Sequence, residues 1–169
     1  MSATLQRDQA STLAKSSPKK ALAQARKVNE PWFRAQGLSW VARFTDGDAV
    51  AIASEARTAA RECEDDYKRS AVRAWEIAAL AERDYKKDAR MSLSEALALA
   101  KRVEPASSRS EALLLLLQAA FKIGRDEAER VYEILKASCS VDDHWRAKRT
   151  VRNGGRMLSG ESEPRAFFW

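Results

Sequence analysis

The chain has 169 residues, a net charge of +6 and only six glycines and four prolines, which suits one domain with a sizeable core. Ala, Leu, Arg, Lys and Glu dominate while Val, Ile and Thr are sparse, so an all-α protein is expected and a sheet is not. The longest apolar stretch, Ala112–Phe121, is about half of the roughly 20 residues a membrane helix needs; with no apolar leader at the start, a cytoplasmic protein without a membrane partner is expected.

In chain order, residues 1–17 read as a tail or a short extra helix over 4–15. Helices are then predicted at 18–29, 31–44, 48–63, 66–86, 93–103, 107–122, 126–138 and 141–153. Ser17-Pro18 supplies a cap and a proline at the first helical position. Ser92-x-x-Glu95 and Ser108-x-x-Glu111 fit capping boxes, and Gly47 and Gly124 mark helix ends. The helical domain is taken as 18–158. Residues 159–169 are taken as a tail; its end, Arg165–Trp169, follows a stretch (153–164) that reads as flexible and carries the aromatic run Phe167, Phe168 and Trp169. That run is expected to cap the last helices, to dock on a neighbouring molecule or to serve as a ligand.

The helical segments repeat. Laid over Ala96–Leu113 without a gap, Ala21–Leu38 matches seven residues in eighteen, among them Val28 with Val103 and Arg34 with Arg109. At an offset of 35, Val28, Arg34 and Trp40 meet Cys63, Arg69 and Trp75; a looser fourth copy puts Arg146 at the arginine position. The helices then pair into about four hairpins, none able to bury its apolar face alone, and stacking them predicts a short right-handed α-solenoid. The period, and the turns Glu30-Pro31-x-x-Arg34 and Glu104-Pro105-x-x-x-Arg109, resemble HEAT-like and tetratricopeptide-like repeat proteins over roughly residues 18–155. That resemblance implies a binding or scaffolding role.

Helical periodicity sorts the aromatic residues. Phe33, Gly37, Leu38, Trp40, Val41 and Phe44 form a core stripe, whereas Trp32 falls on a polar stripe with Gln36, Ser39 and Arg43. In register, Trp32, Tyr67, His144 and Trp145 would line one ridge of inter-helix turns and bind a partner; the bland alternative is that each ring covers a neighbouring helix end. The recurring arginines have a bland reading too, as i,i+4 pairs Glu30–Arg34, Asp65–Arg69 and Asp142–Arg146.

No phosphate-binding glycine loop, metal-binding His/Cys spacing or nucleophile motif occurs. His144 is the single histidine and Asp65-Asp66 an isolated acid pair, so neither a cofactor nor a metal is expected, and an enzyme less than a non-catalytic module. Cys63 and Cys139 read as small core residues in a reducing compartment. The leading expectation is a protein or peptide partner bound on the helical-repeat surface. The second is nucleic acid, because residues 1–44 carry eight Lys/Arg against two Asp/Glu, and the run from Arg146 to Arg156, with Arg149 and Arg152, has no acid.

Overall fold

The computed structural model describes residues 2–140 and 143–169; Asp142 and its expected pairing with Arg146 lie outside them. Among the described residues the chain is all-α. The helices are α1 (Ala3–Ser16), α2 (Pro18–Arg26), α3 (Pro31–Phe44), α4 (Ala49–Arg61), α5 (Asp66–Ala71), α6 (Arg73–Glu82), α7 (Lys86–Ala100), α8 (Ala106–Ile123), α9 (Arg125–Cys139) and α10 (Trp145–Leu158). None of them is long and apolar enough to cross a membrane.

Packing follows one row. Helix α1 packs on α3, α3 on α6, α6 on α8 and α8 on α10. The remaining helices flank it: α2 against α1 and α3, α4 against α3 and α6, α5 and α7 against each other and α8, and α9 against α8 and α10. Alanine makes this close approach workable, and Ala10, Ala25, Ala53, Ala78 and Ala120 are all fully buried. Gly37 shows the limit: a Cβ there would lie 3.4 Å from the Ala25 Cβ and 3.7 Å from the Ala10 Cβ.

Several boundaries differ from the predicted ones for physical reasons. The segment 66–86 is two helices broken at Val72, and α6 stops before Asp84, whose φ of 65° lies in the left-handed region. Helix α7 starts at Lys86, so Ser92 is no cap. Its side chain is buried inside α7, where its hydroxyl donates to Glu76 and accepts from Arg73 Nη2 at 2.6 Å. Ser108 likewise sits inside α8. Helix α10 runs on through Gly154-Gly155 to Leu158. These glycines serve close packing rather than flexibility: a Cβ on Gly154 would meet Leu117 Cδ2 at 2.9 Å and Tyr132 Cδ2 at 3.0 Å.

The inter-helix turns share one device. Arg34 donates to Val28 O at 2.8 Å, Arg69 to Cys63 O at 2.8 Å and Arg109 to Val103 O at 3.0 Å. Each arginine reaches back six residues and satisfies a backbone carbonyl in the turn just past the preceding helix, where no ladder supplies a donor. The expected pairs Glu30–Arg34 and Asp65–Arg69 are therefore replaced. Glu30 caps α3 by accepting from Trp32 N and Phe33 N, Asp65 caps α5 by accepting from Lys68 N, and Arg34 pairs with Glu62.

Charges are buried where α4, α6 and α7 meet. Arg73 and Glu76 are 2% and 1% exposed and bond at 2.7 Å. Arg57 of α4 reaches Glu76 at 3.1 Å, and Arg73 reaches Glu95 of α7 at 3.1 Å. A buried carboxylate is tolerable only with such partners, and this one ties three helices together.

Candidate functional site

The site is built on the row. Trp40 of α3, Trp75 of α6 and Leu115 of α8 occupy matching places in the overlaid sequence segments. Trp40 and Trp75 are 2% and 7% exposed, and what closes them off is the 159–169 segment. After α10 the chain turns at Gly160, whose φ of 78° suits glycine, and then runs back along the row. The Arg165 guanidinium lies 5.1 Å from the Trp75 ring centroid, and the Phe167 ring meets Trp75 edge-on at 5.4 Å. Phe168 meets Trp40 edge-on at 5.3 Å and Phe44 at 6.4 Å. Trp169 reaches Trp40 at 5.1 Å, and Lys15 of α1 donates to its carbonyl. The segment thus lies on α6, α3 and α1 rather than on the end of the α9–α10 pair.

The third position, Leu115, stays half-open. It lines a groove of about 500 Å³ together with Tyr67, Glu111, Gln118, Arg149 and Arg165. Gln118 Oε1 is buried in it without a hydrogen-bond donor. Arg149 approaches Glu111 at 3.7 Å. Arg165 has its ring contacts but no carboxylate within salt-bridge distance among the described residues, and desolvation against those rings lowers its pKa. Burial, followed by the charges of Glu111 and Asp65, raises that of Tyr67, which keeps its hydroxyl protonated. The groove therefore offers an apolar floor and an under-compensated cation.

The predicted residues are only partly brought together. Trp32 is half-buried, stacked on Tyr67 at 6.4 Å and edge-on to Trp75 at 6.1 Å. Its supposed polar stripe is buried as well: Gln36 is 3% exposed under Arg7 of α1, and Ser39 is 0% exposed. His144 does not join Trp32; it caps α10 by accepting from Arg146 N, and its ring stacks on Trp145 at 6.0 Å. Trp145 is 59% exposed, with Arg146 and Arg149 over its ring at 5.5 and 4.9 Å. Arg152 lies on the same helix, by Lys136 and Lys148. Arg149 is the link, touching Trp145 on one side and sharing the groove with Tyr67 on the other. Phe167 is fully buried, Phe168 half-buried and Trp169 67% exposed.

Sequence reasoning missed Arg165 and Gln118, and read Trp40 as plain core. The signal was present in part, because Trp40, Trp75 and Leu115 share a register that points one face of three helices the same way. Elsewhere the acid pair Asp65-Asp66 and the buried Glu76 are occupied. Asp65 caps α5, Asp66 pairs with Arg69 at 3.5 Å and Arg102 at 3.3 Å, and Glu76 is sealed from solvent. Among the described residues no group of three or more His, Cys, Asp or Glu is placed to hold a metal ion. The chain matches no protein-family model, no curated protein and no solved structure.

Proposed function

We propose that the protein is a non-catalytic interaction module. Its helices stack as a short right-handed α-solenoid of about four hairpins, in the manner of HEAT-like and tetratricopeptide-like repeats, and the row face binds an extended segment of a partner protein. The recurring arginine–carbonyl contact and the serial packing of α1, α3, α6, α8 and α10 support the architecture. The observation that carries the function is the half-open groove at Leu115 with its two arginines. A peptide fits that chemistry with a carboxylate for Arg149 and Arg165 and an apolar side chain over Leu115.

The test is an anisotropy titration of the full chain with a panel of labelled acidic and neutral peptides. Acidic peptides are expected to bind saturably and to lose about tenfold on Arg149→Gln, the worth of one charge-assisted contact. If no peptide binds at millimolar protein, the reading is contradicted.

A second reading, nucleic-acid binding, is favoured by exposed Trp145 between Arg146 and Arg149, which offers stacking beside phosphate contacts. The basic residues near Lys19 and Lys20 do not extend that surface, because α1 and α2 lie at the other end of the row from α10. An oligonucleotide titration separates the readings: binding that falls steeply with salt and disappears on Trp145→Ala belongs to nucleic acid.

A further inference from the structure

We infer that residues 165–169 are the built-in occupant of a peptide site on α1, α3 and α6. The same site would take, from a partner protein, an extended segment of the pattern basic–small–aromatic–aromatic–aromatic. This rests on the reading of the row as a peptide-binding face and names the chemistry of a second stretch of it, next to the groove.

The segment is held as a ligand is held. The last backbone–backbone hydrogen bonds of the described chain run from Glu161 N and Ser162 N to Arg156 O. Beyond them the segment is held by ring and cation contacts of its side chains and by the Lys15 bond to the Trp169 carbonyl. Arg165 and Phe167 straddle Trp75, Ala166 points to solvent, and Phe168 and Trp169 pass to Trp40. Successive side chains seated on a preexisting row of rings give such a segment its hold and its sequence preference.

The receiving surface is preformed. Trp40 stacks on Phe44 at 5.7 Å and Trp75 meets Trp32 at 6.1 Å, both within the helical row. Lys15 stands 5.7 Å from the Trp40 and Phe44 centroids. These rings have neighbours within the row besides the segment. The tether is short and polar: Ser159, Glu161 and Glu163 are exposed, and Gly160 supplies the bend. Such a tether gives an effective concentration in the millimolar range, so a partner segment binds the intact chain weakly and a chain with an untethered segment well.

The experiment places a protease site within residues 160–163 of the full chain, cuts it after folding, and adds a fluorescent Pro-Arg-Ala-Phe-Phe-Trp peptide. The cut protein is expected to keep its helical circular dichroism and bind the peptide saturably. The uncut protein should bind at least about tenfold more weakly, and a competitor peptide with both Phe changed to Ala should compete at least about tenfold worse. A second variant, the uncut chain with Phe167→Ala and Phe168→Ala, should also bind the peptide. The inference is overturned if the cut protein unfolds as its segment leaves, or if both proteins stay folded and neither takes up the peptide. Binding of acidic peptides at the groove, read through Arg149→Gln, reports on the parent reading separately: if it persists while this peptide fails, only the present inference falls.

Discussion

The ring of Phe167 meets the ring of Trp75 edge-on, with centroids 5.4 Å apart and planes at 83°. Phe167 is fully buried although no helix carries it. A side chain from an irregular segment therefore completes the core of α6, and the row face owes part of its closure to residues beyond its last helix.

Removing that ring has a bounded cost. Phe167→Ala is expected to lower stability by about 3–5 kcal/mol if the segment stays in place over the cavity, and by less if it detaches and water reaches Trp75. Urea titration with tryptophan fluorescence distinguishes these outcomes, because detachment also shifts the emission of Trp75 and Trp40 to the red.

The Arg73–Glu76 pair is the most exacting polar feature of the interior. Glu76→Ala leaves Arg73 buried without its main partner and should cost about 3–5 kcal/mol. The double variant Arg73→Met, Glu76→Leu should cost less than the sum of the two single changes, since it removes both charges together. Urea midpoints of the four proteins measure the coupling.

Gly154 tests close packing. Alanine is intrinsically the better helix former by about 1 kcal/mol, yet its Cβ would lie 2.9 Å from Leu117 and 3.0 Å from Tyr132. Gly154→Ala is expected to be net destabilising, with about 1–3 kcal/mol of overpacking. A thermal melt with a raised midpoint would show that α10 shifts freely.

Cys63 makes the fold sensitive to alkali. Burial, helped by the nearby Glu30 carboxylate, pushes its thiol pKa up to about 11 from 9.0. The unfolded chain therefore loses its thiol proton first as pH rises. Stability is intact below pH 9 and falls on the way to pH 11, by about 2 kcal/mol at pH 10.5 from about 1.4 kcal/mol per unit. Comparing urea midpoints at pH 8 and pH 10.5 should show a loss in the wild type that is smaller by about 2 kcal/mol in Cys63→Ala, the remainder including Tyr67, whose pKa is also raised.

Much of the helical framework was legible in the sequence. Residues 31–44 form α3 as read, because Pro31 opens the helix and Thr45-Asp46-Gly47 closes it. The recurring arginines were found by overlaying the segments, but their partners were not: the pairing rule favours a nearby acid, while the fold supplies a backbone carbonyl with a greater need. Ser92 and Gly154 misled for a related reason. Each residue type has a local use, capping or flexibility, and a tertiary use, buried hydrogen bonding or close approach; only packing decides between them. The course of residues 165–169 could not be read at all. It depends on Trp75 and Trp40, which lie far away in sequence, and no periodicity links an irregular segment to a helix face.

The central claim is that the row face at Trp40 and Trp75 seats an extended aromatic segment. The most direct measurement is the set of indole N–H signals of the five tryptophans in an ¹⁵N correlation spectrum of the full chain. Phe167→Ala with Phe168→Ala is expected to move the Trp40 and Trp75 signals and leave Trp145 in place, and addition of the Pro-Arg-Ala-Phe-Phe-Trp peptide should return them toward their original positions. Trp40 and Trp75 signals that ignore both changes would contradict the account.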